Sequence, residues 1–172
     1  DLRLPKPDIN LEVGSGSHAV QTAEVMRRFE PVVDEKKPSC ILVVGDVNST
    51  LACTLVGVKK GIPVVHVEAG LRSYDRSMPE EINRVLTDQV ADRLYTTERS
   101  AAANLQNEGI SPERICFVGN VMIDSLLSNR SVARPPADTL RNEGFDPAAI
   151  AGPEGYGIVT MHRPSNVDHP EV

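Results

Sequence analysis

Short apolar runs alternate with longer stretches of helical periodicity along most of this chain. Cys40-Ile41-Leu42-Val43-Val44 is an unbroken apolar run, the pattern of a strand buried on both faces of a parallel sheet. Residues 63–67, 93–96 and 115–118 repeat the pattern, and residues 9–13 are a further strand candidate. Between the runs lie helix-length segments. Ser17, His18 and Ala19 open one that continues through Val25, Met26, Phe29 and Val33 and stops at Lys36-Lys37-Pro38. Asn48-Ser49-Thr50 supplies capping side chains for the next, which runs to Gly61. Pro79 suits a first helical turn, Glu80 and Glu81 complement its dipole, and Ile82, Val85, Leu86 and Val90 are the expected buried stripe. Residues 98–108 form another helix, ended by Gly109. This alternation predicts a doubly wound parallel α/β sheet.

Past Gly119 the pattern changes. Residues 121–127 read as one more helix, residues 131–136 as a Pro-rich polar connector, and residues 156–160 as a strand that leads into Met161-His162-Arg163-Pro164. A boundary is expected within residues 119–129. The chain then divides into a partial N-terminal domain (1–119), an interdomain helix and linker (120–137), and the start of a C-terminal domain (138–172).

Composition narrows the function classes. The 172 residues are 40% hydrophobic and 24% charged, which fits a soluble globular protein. The formal charge of -6 has the wrong sign for holding a nucleic-acid backbone, so no nucleic-acid partner is expected, although a placed Arg or a helix N-terminus still allows a small anion. No apolar run is long enough to span a membrane and no leader pattern opens the chain, so no membrane partner and a cytoplasmic location are expected. Cys40, Cys53 and Cys116 lack metal spacing and lie among apolar residues, as reduced packing residues do. The four His are scattered, so no metal and no cofactor are expected.

The chemistry sits where strands end. In open parallel sheets ligands bind outside the carboxyl ends of the strands, and Asp46 and Glu68 follow two of these runs while Glu80 and Glu81 open the next helix. Each has a second reading: Asp46 completes a cap with Asn48 and Ser49, or Glu80 and Glu81 serve only the helix dipole. Glu68 is harder to dismiss, because an acid beside Val64, Val65 and Val67 needs a partner or a function. His66 and Glu68 share a strand face, so one orients the other. Arg72 and Arg76 either neutralise the acids or face a phosphate. Gly14-Ser15-Gly16-Ser17-His18-Ala19 has the form of a dinucleotide fingerprint, but the acid required at the end of the next strand is absent. His66-Val67-Glu68 echoes the zinc deaminases without their paired cysteines.

Five blocks, in order, resemble the non-hydrolysing UDP-N-acetylglucosamine 2-epimerases. They are Gly45-Asp46-Val47-Asn48-Ser49-Thr50, His66-Val67-Glu68-Ala69-Gly70-Leu71-Arg72, Met78-Pro79-Glu80-Glu81-Ile82-Asn83-Arg84, Gly119-Asn120-Val121-Met122-Ile123-Asp124 and Thr160-Met161-His162-Arg163. The resemblance implies a GT-B-like pair of Rossmann-like domains, the second only begun here, with a UDP-sugar between them. It implies interconversion of UDP-GlcNAc and UDP-ManNAc by elimination and re-addition of UDP, and a homodimer. Asp46, Glu68, Glu80 and Glu81 become the acid/base candidates. His66, Arg72, Asn83, Arg84, His162 and Arg163 become substrate-binding candidates, and His18 a candidate for a regulatory UDP-GlcNAc site. Family members are considerably longer and carry an Arg-containing loop and a phosphate- and ribose-holding segment that this sequence lacks. The chain alone is therefore expected to have little or no epimerase activity. The alternatives are a hydrolysing relative that releases free sugar, and a nucleotide-sugar-binding module without catalysis.

Overall fold

A computed structural model describes residues 5–150, 157 and 159–161. His162 and Arg163, and part of the strand expected over 156–160, lie outside these residues. The chain separates into two compact units, residues 1–124 and 125–172.

The first unit is built on four parallel strands: β1 (Ile41–Val44), β2 (Val64–Val67), β3 (Arg93–Thr96) and β4 (Ile115–Phe117). They neighbour one another in chain order, β1-β2-β3-β4. Among the described strands there is no reversal of order, so these four make a single winding of the α/β sheet. Successive right-handed crossovers then set the connecting helices on one face.

The helices are α1 (His18–Lys36), α2 (Asn48–Lys59), α3 (Pro79–Val90) and α4 (Arg99–Asn107), with a short 3-10 turn (Pro112–Arg114) before β4. Local chemistry accounts for their ends. Ser17 caps α1, its Oγ accepting the Val20 N–H at 3.3 Å, and Lys37 closes it in the left-handed conformation. Pro79 occupies the first turn of α3, where a missing N–H costs nothing. The core lies on the covered face of the sheet, where Ile41, Val43, Val64 and Leu94 meet Val33 of α1, Val56 of α2 and Leu105 of α4. Gly57 lets α2 approach closely: a Cβ there would lie 2.8 Å from Val64 and 2.9 Å from Ile41.

Four expectations need correction. Residues 9–13 form no strand: Glu12 takes a positive φ of 54°, and the Arg28 guanidinium occupies the carbonyls of Leu11 and Glu12. Among the described residues the β1 strand is covered on one face, since Leu42 and Val44 are 60% and 53% exposed and only the Ile41/Val43 side carries the core. The apolar stripe of α3 is not its buried face. Ile82, Leu86 and Val90 are exposed, and Glu81, Asn83, Thr87 and Asp88 are buried instead, because the sheet beneath presents a polar group to this helix. Cys40 and Cys116 are exposed free thiols; Cys53 alone is half-buried.

In the second unit the helices α6 (Pro136–Asn142) and α7 (Pro147–Ile150) are described, and α5 (Val121–Asn129) straddles the division between the units. No described helix is long and apolar enough to cross a membrane.

Candidate functional site

Asp46 stands two residues past β1, in a turn made by Gly45 at a φ of 71°. Glu68 follows β2 directly and itself holds a φ of 72°, a left-handed conformation that costs an L-residue about 1–2 kcal/mol. The N–H groups of Glu68 and Ala69 both donate to the Tyr95 carbonyl, at 3.0 and 3.1 Å, which fixes this bend against β3. A Cβ placed on Gly45 would lie 3.5 Å from Glu68 Oε2, so the Glu68 carboxylate rests beside the turn that carries Asp46.

The first turns of α3 close on the same edge. Arg84 pairs with Asp46 and, at 3.3 Å, with Glu81. Asn83 Nδ2 donates to the Asp46 carbonyl at 2.9 Å and to Asn48 Oδ1 at 3.2 Å. Acids from two successive β/α connections therefore meet at the carboxyl edge of the sheet: Glu68, after β2, lies beside the Asp46 turn after β1, and Arg84 draws Glu81, in the first turn of α3, toward Asp46, with Glu80 its neighbour in sequence.

These acids are not equivalent. Glu68 and Glu80 are half-exposed and their carboxylates have no hydrogen bond or ion pair among the described residues. Asp46 is tied to Arg84 through Oδ2. Glu81 is 2% exposed and fully committed: it accepts the Ser73 N–H, the Ser73 hydroxyl and the Tyr74 N–H, each at 3.0 Å. Burial pushes the Glu81 carboxyl up, but those donors and Arg84 outweigh it and hold it below the usual carboxylate range.

Two of the expected substrate contacts face inward. His66 is fully buried, with Nδ1 2.7 Å from Asp88 Oδ1 and Nε2 2.8 Å from the Gly45 carbonyl. The Arg72 side chain is 1% exposed and bonds Asp88 at 2.7 Å, Glu108 at 2.6 Å and the Leu71 carbonyl. Burial opposes its charge, but Glu108 and Asp88 overcome this and raise its pKa. Arg76, by contrast, is exposed and has no partner among the described residues.

His18 lies beside the acid cluster. Its Nδ1 is within 3.3 Å of the Asn48 side chain, whose Nδ2 also donates to Gln21 at 2.8 Å. Asn48 thus joins α1, α2 and α3 rather than capping α2 as expected: the N-cap is Val47, with no side-chain cap hydrogen bond. A cleft of about 470 Å³ opens here, lined by His18, Met26, Asn48, Pro79, Ile82 and Asn83 among others. Among the described residues no cluster of His, Cys, Asp or Glu has the arrangement of a metal site.

The family model for UDP-N-acetylglucosamine 2-epimerase matches residues 1–172. A UDP-N-acetylglucosamine 2-epimerase of Methanococcus maripaludis is 43% identical over 174 residues, covering 100% of this chain and 46% of the relative. A UDP-2,3-diacetamido-2,3-dideoxy-D-glucuronate 2-epimerase of Pseudomonas aeruginosa is 41% identical, covering 98% of this chain and 45% of that protein. The crystal structure of the Methanocaldococcus jannaschii UDP-GlcNAc 2-epimerase, in complex with UDP-GlcNAc and UDP, superposes with a TM-score of 0.83 at 42% identity. It matches over 98% of this chain and 45% of that one. The chain thus spans slightly under half the length of these relatives. Matched along its whole length, and with its acids gathered at one sheet edge, it belongs to the UDP-N-acetylglucosamine 2-epimerase family.

Proposed function

We propose that this chain supplies the acid/base wall of a cytoplasmic, homodimeric enzyme that interconverts UDP-GlcNAc and UDP-ManNAc. The observation that carries the reading is the approach of the Glu68 carboxylate to the Asp46 turn, from two successive β/α connections, with Glu80 opening α3 at the end of the second and the carboxylates of Glu68 and Glu80 free of partners among the described residues.

The C2 proton of the sugar is not adjacent to a carbonyl, so it cannot leave through a simple enolate. A carboxylate takes that proton as the bond from C1 to the diphosphate oxygen breaks, which leaves 2-acetamidoglucal and UDP. UDP then re-forms the bond to C1 while a second carboxyl returns a proton to C2 from the opposite face. Glu68 and Glu80 are the unencumbered candidates for this exchange, and Asp46, anchored by Arg84, is the third.

Glu81, His66 and Arg72 do not belong in the reacting set in this reading. Glu81 holds the loop at Ser73 and Tyr74, and the other two stand behind the site. Arg76 is then the loop cation available to a diphosphate, Asn83 and Arg84 serve the substrate by fixing Asp46, and His162 and Arg163 keep the substrate-binding role that the family resemblance implies. A regulatory UDP-GlcNAc contact at His18 would use the cleft between α1 and α3.

The test is proton NMR of UDP-GlcNAc in D2O with a full-length epimerase that carries this sequence. Asp46→Asn and Glu68→Gln are expected to lower C2 deuterium incorporation by about 100-fold or more while UDP binding persists. Exchange at the wild-type rate in both variants would return these acids to a structural role, and free ManNAc in the product would identify the hydrolysing outcome. The 172-residue chain by itself is expected to turn over little or no substrate, because a cleft with one wall neither orients UDP nor excludes water.

A further inference from the structure

Behind the acid cluster lies a second group of ionisable residues that the proposed chemistry does not use. Asp88 of α3 is fully buried and divides its two oxygens. Oδ1 lies 2.7 Å from His66 Nδ1. Oδ2 accepts the Gly70 N–H at 3.1 Å and lies 2.7 Å from Arg72 Nη1. His66 passes the contact on, since its Nε2 is 2.8 Å from the carbonyl of Gly45, the residue before Asp46. A carbonyl and an ionised carboxylate have no hydrogen to give, so the ring satisfies both only by donating from both nitrogens. His66 and Arg72 then balance Asp88 and Glu108, and this interior group is left with no unpaired charge.

Gly45 and Gly70 are the positive-φ residues that flank the two acids, one before Asp46 and one after Glu68. Asp88 reaches both, Gly70 directly and Gly45 through His66. We propose that Asp88 is a positioning residue for the acid cluster, clamping the Asp46 turn through a doubly donating His66 and the Glu68 bend through Gly70. The proposal deepens the epimerase reading and rests on it for its effect on catalysis. Placement is where such a clamp acts, because a misplacement of about 1 Å in a reacting group is enough to cost roughly 100-fold in rate.

Asp88→Asn and Asp88→Ala separate the clamp from simple core packing. An Asn amide can donate to His66 Nδ1, leave Nε2–H on Gly45 and offer its oxygen to Gly70, so the geometry survives with one proton fewer. Ala removes every contact. Two-bond 1H–15N spectra of the 172-residue chain are expected to show both His66 nitrogens protonated in the wild type and one bare nitrogen in Asp88→Asn. The Gly45, Asp46 and Gly70 amide signals are expected to stay in place in Asp88→Asn and to move in Asp88→Ala.

In the full-length enzyme, Asp88→Ala is expected to lower kcat by roughly 10- to 100-fold with KM changed by less than about 3-fold, and Asp88→Asn to recover most of kcat. A wild-type His66 with one bare nitrogen, or Gly45 and Asp46 amides unmoved in Asp88→Ala, overturns the proposal. If Asp88→Ala does not fold, the His66 spectra of the wild type and Asp88→Asn decide it. An inactive wild-type enzyme would refute the epimerase reading and leave the spectra as the test of the clamp.

Discussion

Glu68 holds a left-handed backbone, and replacing it by Gly and by Ala measures what that conformation costs. At a φ of 72° a residue with a Cβ is strained by about 1–2 kcal/mol, and Gly is not. Gly also loses more freedom on folding, which offsets about 0.4–1 kcal/mol of the relief. Both variants remove the carboxylate and whatever repulsion it has with Asp46, so their difference isolates the backbone. Glu68→Gly is expected to exceed Glu68→Ala in stability by about 0.5–1 kcal/mol, or about 1–4 °C in Tm for a chain of this size. The control is Ser100, exposed in α4, where Ala should exceed Gly by about 1 kcal/mol. Urea titrations of the four variants give both signs directly. Ala more stable than Gly at position 68 would mean that Glu68 is unstrained, and would remove the sign that function, rather than folding, selects this residue.

Three further outcomes follow from particular contacts. Gly70→Ala adds a Cβ 2.7 Å from the Ala101 carbonyl and 2.9 Å from the Leu105 side chain at a φ of 80°, so strain and overpacking together should cost about 2–5 kcal/mol in a denaturation experiment. Glu81 is held below its ordinary value of 4.5, so it contributes stability that is full above that pH and fades as the pH falls through the lowered folded value. Glu81→Gln should therefore be less stable at neutral pH and less sensitive to acid than the wild type, as followed by thermal melts from pH 6 to about 3. Burial pushes the Cys53 thiol up to about 11, so at pH 8 Cys40 and Cys116 should alkylate at least about tenfold faster, as resolved by peptide mass spectrometry.

Periodicity located the elements because their ends are fixed by local chemistry. The stop at Lys36-Lys37-Pro38, the cap at Ser17 and the proline opening α3 act within a turn or two of the chain, and α1 and α3 follow them. What the pattern could not fix was which side of each element has a neighbour. Leu42 and Val44 are as apolar as Ile41 and Val43, yet only one pair meets helices among the described residues. Residues 9–13 alternate as a strand would, but none of the described strands pairs with them, and Arg28 takes two of their carbonyls instead. Position relative to strand ends was the better guide to the site. Asp46 and Glu68 stand where the rule for open parallel sheets puts ligand contacts, and the structure brings them together.

The inversion of α3 shows why some of the site was not legible. An amphipathic helix normally turns its apolar stripe inward, because burial of an unpaired polar group costs more than burial of a methyl gains. That argument reverses when the opposing surface already contains a polar group. His66 lies on the covered face of β2, level with Val43 and Leu94, and an apolar helix against it would strand its Nδ1, since only Nε2 has the Gly45 carbonyl as a partner. Turning Asp88 inward supplies the missing acceptor and leaves Ile82, Leu86 and Val90 outside. The same rotation buries Glu81 and Asn83 one turn earlier, where they fix the loop at Ser73 and the backbone of Asp46. One histidine inside a strand that is otherwise valine therefore sets the rotation of the next helix, and with it which of Glu80 and Glu81 remains free to meet a substrate.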